Sequence, residues 1–533
     1  MKLLVFLIPF LFSISLFFSW QVFSFFGNSR NFFKDKPDFR KLHLSQKLRL
    51  GGITFGVIYI VCVSLFFIDD VGMYWYLVGG FFICFLGVLD DFKELSWKVK
   101  LFVQSIIGIN IILYFYSTVS VVQFFSINVT FDKVLIFALF FIWFIGVTNS
   151  VNLIDGMDGL AAGSFVIVLV GSIVHGVIMR NDLFVFTNAM LATSLVSFLI
   201  FNKRPAKFFM GDGGSLLLGF HLAVLPLVFL SGTDASLPIN VTPFIILSSY
   251  FIIDTLRVIF LRIKEKLNPM HPDKNHIHHN LLNSIGSYNG TLLIIFLLVS
   301  LSSLLMLLDV KYRFGFIALY FFLVLLGIFI FFPIVLQLFF KVCNFICLFF
   351  RTQLKKEIPS KNVYLIDSMF RGCLFLYLFC FLLLTQINEL TFTYWFYVLP
   401  GLLISLIFVV LSNDKNMKKI ILVLNFIFFI GIFVFGTKTD FFWSDMIVLL
   451  KNGVLLLFVF LIIFKLLLRR SSLLLRFWNV YDILFFCLMM QFICFYFFFH
   501  DFPLFEFFEI YILYLAFQIF YRAELGFWNI KVR

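Results

Sequence analysis

Runs of roughly twenty apolar residues recur along all 533 residues, and such a chain is constrained to fold as α-helices that cross a bilayer. Hydrocarbon offers the backbone no hydrogen-bond partners, so each span must satisfy its own amides. Apolar runs near residues 3–25, 51–68, 73–89, 101–118, 133–148, 159–179, 183–201, 214–231, 241–261, 291–308 and 315–335 predict eleven core spans. Six more are predicted near 368–386, 394–412, 419–437, 446–466, 479–499 and 504–521. The expected fold class is all-α, a polytopic membrane protein. Its first domain covers residues 1–340, and an additional multi-span domain of unassigned role covers 341–533. A mean hydropathy of +1.06 excludes a soluble core. Residues 1–25 lack the small-residue cleavage site of a signal peptide and count as the first span.

Lys and Arg total 41 against 28 Asp and Glu, yet no basic domain exists to bind nucleic acid. In a membrane protein this excess reports topology, because loops that stay in the cytoplasm keep Lys and Arg. With the N-terminus outside, only Lys2, Lys133, Arg180, Lys311, Arg313, Lys438 and Lys451 fall on the outer side, and Arg257 falls within a span. Every other Lys and Arg lies in an inner loop, which predicts a cytoplasmic C-terminus and an odd number of spans, seventeen. The eight cysteines lie in or beside apolar runs without paired spacing, so they act as small hydrophobes.

Polar clusters break the apolar pattern on that same inner side. The stretch Gly146–Gly163 sets Asn149, Asn152, Asp155 and Asp158 between two apolar runs. Polar groups in hydrocarbon cost several kcal/mol without partners, so such residues face a protein-lined cavity or cap the junction of two helices. Asp90 and Asp91 end the third span beside Lys93 and Lys98, and the Gly-rich FMGDGGS carries Asp212 close to Lys203, Arg204 and Lys207. Glycines let backbone approach a ligand, and the following helix start presents its amides to an anion. NPMHPDKNHIHHNLL adds His276, His278 and His279. Solvation alone would not sort carboxylates, amides and histidines onto one face, whereas a single cytoplasm-facing site assembled from several loops would.

Scattered aspartates suit Mg²⁺, which takes one or two carboxylates and fills its shell with phosphates and water. Zn²⁺ would draw on the three histidines, but no cysteine stands near them. The clusters together suggest metal-assisted phosphoryl transfer between a soluble anionic substrate and a lipid.

These motifs, RKLH…RLGG (Arg40–His43, Arg49–Gly52), LDD (Leu89–Asp91), NSVNLIDGMDGLAAG (Asn149–Gly163), FNKRPAKFFMGDGGS (Phe201–Ser215) and HPDKNHIHH (His271–His279), resemble those of the polyprenyl-phosphate N-acetylhexosamine-1-phosphate transferases. The resemblance covers roughly residues 26–285. It implies transfer of a sugar 1-phosphate from a UDP-sugar to polyprenyl phosphate, with release of UMP, at the cytoplasmic face of a bacterial inner membrane. Asp212 and Asp91 are then the expected ligands of Mg²⁺, with Mn²⁺ as a substitute. Asp90, Asp91, Asp212, His276, His278 and His279 are expected to be catalytic, and His43, Asn149, Asn152, Asp155, Asp158, Asn202 and Lys207 to bind substrate. The HIHH form is closer to the GlcNAc-type branch than to the muramoyl-pentapeptide branch. Gln46 and Leu48 replace the prolines usual in the first loop, and Lys274 stands where an arginine is common. Direct attack by the lipid phosphate and a covalent aspartyl intermediate are both open, and a homodimer is one assembly to expect. A transporter of lipid-linked sugars is the alternative of another class; it would place its polar groups near the bilayer midplane and expose them to both faces.

Overall fold

The computed structural model describes residues 47–67, 70–116, 121–125, 127–129, 132–231, 239–268, 275–285 and 287–312, together with Lys34–Asp35 and parts of 11–22. The eleventh core span, the six C-terminal spans and the 341–533 domain lie outside the described residues. So does His43.

Within the described residues, helices form at nine of the predicted spans, from that near 51–68 to that near 291–308. A π-helical turn, Gly52–Gly56, leads into α1 (Val57–Phe67), followed by α2 (Val71–Lys93), α3 (Trp97–Tyr116), α4 (Lys133–Ile154), α5 (Leu160–Ile178) and α6 (Asp182–Asn202). Then come α7 (Gly211–Ser231), α8 (Thr242–Lys264), the short α9 (Ile277–Ile285) and α10 (Tyr288–Tyr312). Among the described residues, eight of these helices are long and apolar enough to cross a membrane, and Gly52–Phe67 is a shorter apolar helix. The chain is thus a polytopic, mostly helical membrane protein over this region. Several helices outrun their apolar stretches: α2 continues four residues past Leu89, α4 continues from Thr148 to Ile154, and α7 already begins at Gly211. An intrahelical ladder does not stop where hydrophobicity stops, and these extensions carry Asp90, Asp91, Asn149, Asn152 and Asp212 on ordered helix ends.

The bundle is built around α7, whose side chains are buried almost throughout its length. It packs mainly on α2 and α4, while α5 lies against α6 and α10, and α10 against α8. Two glycines make the α7 contacts close enough to matter. A Cβ at Gly87 of α2 would stand 2.3 Å from the carbonyl oxygen of Asp212, and one at Gly219 of α7 would stand 2.3 Å from that of Thr148 in α4. Helices in lipid associate through such backbone-to-backbone packing, since hydrocarbon supplies no hydrophobic drive between them.

Two small sheets mark the ends of the bundle. At one end β2 (Lys47–Arg49) pairs antiparallel with β1 (Lys34–Asp35) and parallel with β5 (Phe208–Phe209), in register Leu48 to Phe208. At the other end β3 (Val122–Phe124) pairs with β4 (Ile127–Val129) and β6 (Ile239–Asn240). Since α7 leaves β5 and runs to the segment before β6, the two sheets cap opposite ends. The first fixes where Arg49 and the start of α7 lie.

Candidate active site

The polar motifs converge at the β2–β5 end. The turn after α2 is set by Glu94, left-handed at φ 50, whose N–H donates to the Asp90 carbonyl. That turn brings Leu95 N within 2.7 Å of Asp90 Oδ1 and swings α3 so that Lys100 Nζ lies 2.7 Å from Asp90 Oδ2. The same ammonium reaches Asp212 Oδ2 at 3.4 Å. Asp91, on the adjacent position of α2, accepts from Gly213 N at 3.1 Å and stands 3.6 Å from Arg49 Nη1, while its Oδ1 has no hydrogen bond. Three carboxylates from two helices therefore sit around one lysine and one arginine. The backbone permits it because Gly211 takes φ +72, and a Cβ there would fall 2.4 Å from Asp91 Oδ2.

The loop between α4 and α5 forms the next wall. Burial pushes the Asp155 carboxyl up to about 7; the neighbouring Asp212 raises it further, Arg49 opposes this and Asp158 adds to it. Asp158 Oδ2 accepts from Ala206 N at 3.0 Å, and its carbonyl accepts from Tyr288 Oη at 2.9 Å. Arg204 lies over the Tyr288 ring, 4.1 Å from its centre. Asn202 is buried and ties two loops together, accepting from Gly159 N at 2.9 Å and donating to the Phe208 carbonyl at 3.2 Å. Ser215 of α7 donates to Asn152 Oδ1 at 3.2 Å. Asn149 exchanges hydrogen bonds with Gln104 of α3 at 2.8 and 3.3 Å, which directs its amide between helices. Lys207 is exposed, with its ammonium 5.8 Å from the Phe201 ring.

The histidines close the ring of motifs. His276 and His278 are buried, their rings nearly parallel with centres 5.8 Å apart, and the His279 ring is 4.2 Å from that of His278. A Cβ at Gly156 would stand 2.4 Å from His278 Nε2, so this imidazole lies against the Asp155–Asp158 loop. Neither of its ring nitrogens makes a hydrogen bond. Burial, reinforced by His279 and His276, lowers its pKa well below the usual imidazole value.

Of the residues expected at the site, Asp90, Asp91, Asp155, Asp158, Asp212 and His278 are brought together, with Asn152 and Asn202 in the surrounding network; His43 lies outside the described residues. Lys100 and Tyr288 are additions that the sequence did not single out. Lys100 shares the first turn of its helix with Lys98, so its position along the chain did not distinguish it.

Three carboxylates clustered with a lysine and an arginine at one end of a membrane bundle have the make-up of an enzyme site embedded in a membrane protein. Comparison with known proteins agrees. The glycosyl transferase family 4 model matches residues 73–230. A probable undecaprenyl-phosphate N-acetylglucosaminyl 1-phosphate transferase of Bacillus subtilis is 37% identical over 270 residues, covering 50% of this chain and 74% of that protein. The undecaprenyl-phosphate alpha-N-acetylglucosaminyl 1-phosphate transferase of Thermotoga maritima is 33% identical over 305 residues, 57% of this chain and 90% of its own. A phospho-N-acetylmuramoyl-pentapeptide-transferase of Leuconostoc mesenteroides is 38% identical over 152 residues, 27% of this chain and 43% of its own. The chain belongs to glycosyl transferase family 4 and is a transferase of that family.

Proposed function

We propose that the chain transfers GlcNAc 1-phosphate from UDP-GlcNAc to undecaprenyl phosphate at the cytoplasmic face of a bacterial inner membrane, releasing UMP. The observation that carries this is the grouping of Asp90, Asp91 and Asp212 around Lys100 and Arg49 at the mouth of a membrane bundle. The names of the Bacillus and Thermotoga relatives support the donor sugar and the lipid.

A divalent metal fits this donor set. Asp212 is partly exposed and Asp91 keeps an oxygen without a hydrogen bond, which is the one-or-two-carboxylate pattern that Mg²⁺ completes with phosphates and water. Among the described residues no three His, Cys, Asp or Glu side chains stand where they could together hold a metal ion, so this reading rests on two carboxylates completed by substrate phosphates and water. Mg²⁺ or Mn²⁺ held by Asp212 and Asp91 would supply neutralisation of the diphosphate.

The remaining chemistry falls to the chain. A phosphate monoester with second pKa near 6 is mostly dianionic at pH 7, so the acceptor needs positioning more than a base. Its oxygen attacks the β-phosphorus of the nucleotide; the bond from that phosphorus to the bridging oxygen breaks, and UMP leaves with the oxygen. Lys100 and Arg49 stand where charge on the transferring group can be balanced. The unpartnered imidazole of His278 is a neutral donor aimed along the Asp155–Asp158 loop. Asp90, both of whose oxygens are engaged, orients Lys100.

The test is UMP release by the full-length protein in detergent, with UDP-GlcNAc, undecaprenyl phosphate and Mg²⁺. Release should require all three and stop with chelator. Release only with UDP-N-acetylmuramoyl-pentapeptide would move the chain to the second reading, which the Leuconostoc relative supports, and no release with either donor would refute both.

A further inference from the structure

The histidine segment is held by a carboxylate that belongs to none of the site motifs. Asp254 lies in α8, fully buried. Its Oδ2 is 2.9 Å from His276 Nδ1 and its Oδ1 accepts from Ile277 N, the first residue of α9, at 2.9 Å. Arg257, one turn further along α8, stands 3.7 Å from Asp254 Oδ1 and donates to the Asn275 carbonyl. One buried carboxylate and its arginine therefore fasten the backbone and the ring at the start of α9 to a membrane helix.

We propose that Asp254 is a positioning residue, which fixes His276 in its Nδ1–H tautomer and thereby holds the ring of His278 against Gly156 at the active-site loop. The assignment rests on the proposed transferase function for its consequence and on geometry for its cause. An ionised carboxylate only accepts, so the nitrogen facing it carries the proton. The His276 ring, fixed in that plane, lies 14° from parallel with His278, which has no hydrogen bond to orient it and depends on its neighbours for its place. Two of the histidines thus divide their work: His276 faces α8 as an anchor, and His278 lies against the Asp155–Asp158 loop.

Asparagine and glutamine variants separate this from a simple helix cap. Asp254→Asn retains an oxygen for Ile277 N but turns an amide donor toward His276, so the cap survives and the tautomer does not. It should lower kcat/KM for UMP release by about 10- to 100-fold, the range for residues that orient a working ligand, with a melting temperature in detergent close to that of the unmodified protein. His276→Asn places its amide where Nδ1–H stood, and His276→Gln does not; the Asn variant should therefore keep at least about tenfold more activity than the Gln variant. Combining Asp254→Asn with His278→Asn should cost no more than His278→Asn alone, because both act through one ring.

Losses that multiply in the double variant, or a Gln variant that outperforms Asn, would overturn the assignment. Nitrogen-15 spectra of the histidine rings supply an arm independent of turnover: the Nδ1–H signature of His276 should be present in the unmodified protein and lost in Asp254→Asn. If the unmodified protein releases no UMP, the functional proposal fails while these spectra still decide the anchor, and an unchanged His276 signature refutes it.

Discussion

Two polar tiers occupy the same helix and are built on opposite terms. About nine residues above Asp212 on α7, His221 joins a closed chain: Tyr59 Oη to Tyr76 Oη at 2.5 Å, Tyr76 Oη to His221 Nδ1 at 2.6 Å, and His221 Nε2 to Asn188 Oδ1 at 3.1 Å. The Asn188 amide passes on to the Phe184 carbonyl at 2.7 Å. All four side chains are buried, and each ring nitrogen and hydroxyl in the chain has a partner. The lower tier, around Asp212, is the reverse. Like charges crowd together, Asp91 Oδ1 has no hydrogen bond and His278 makes none at all. A satisfied network stabilises and specifies a fold, whereas groups left short of partners are retained for what they bind. The upper tier is also enclosed within the bundle, whereas Asp212 of the lower tier is partly exposed.

The largest effect expected from this contrast is on Asp212. Asp212→Asn should reduce UMP release by about 10³-fold or more, while the melting temperature in detergent stays level or rises, since one of three crowded carboxylates is neutralised. A fall in stability that parallels the loss of activity would mean that the lower tier is structural as well. Lys100→Met comes next. It should cost about 10²-fold in turnover and also lower the melting temperature, because Asp90 and Asp212 then face each other without the cation between them. Added Mg²⁺ should recover more of that loss in the variant than in the unmodified protein; equal recovery in both would count against a metal near Asp212.

The lower tier was far more legible in the sequence than the upper one. Aspartates and histidines stand out against apolar runs, and positive-charge bias placed their loops on one side, so Asp90, Asp91, Asp155, Asp158, Asp212 and His278 could be nominated without coordinates. Lys100 could not be told from Lys93 and Lys98, because which lysine turns inward depends on the left-handed turn at Glu94. Asp254 and the Tyr59–Tyr76–His221–Asn188 chain were invisible for another reason. Each of these residues is single within an apolar helix, and only the crossing of helices distant in sequence shows that it has a partner. The roles of Asn149 and Asn202 were hidden likewise: both have motif positions, but their hydrogen bonds go to Gln104, Gly159 and Phe208.

Tyr76→Phe probes the upper tier directly. It removes the link between Tyr59 and His221 and leaves both with an unmet hydrogen bond, at a cost of roughly 1–3 kcal/mol for a buried unsatisfied group. Because the tier holds helices together and touches no substrate, kcat should stay within about threefold of the original at temperatures where both proteins are folded. A loss of turnover comparable with that of Lys100→Met would erase the distinction between the tiers.

The smallest effect expected is a pH dependence carried by His278. Its burial favours the neutral ring, so its folded pKa lies well below that of the unfolded chain, about 6.5. Above that value both states leave the ring neutral and the full contribution to stability is present. As pH falls below it, the unfolded chain takes up a proton that the folded protein refuses, and stability declines by at most about 1.4 kcal/mol per pH unit from this residue. His278→Asn should flatten the fall in melting temperature between roughly pH 6.5 and 5 by that share, although the ring faces the site rather than the core. An unchanged slope would mean that His278 takes up its proton in the folded protein too, and that the active-site tier is wetter and more forgiving than the closed tier above it.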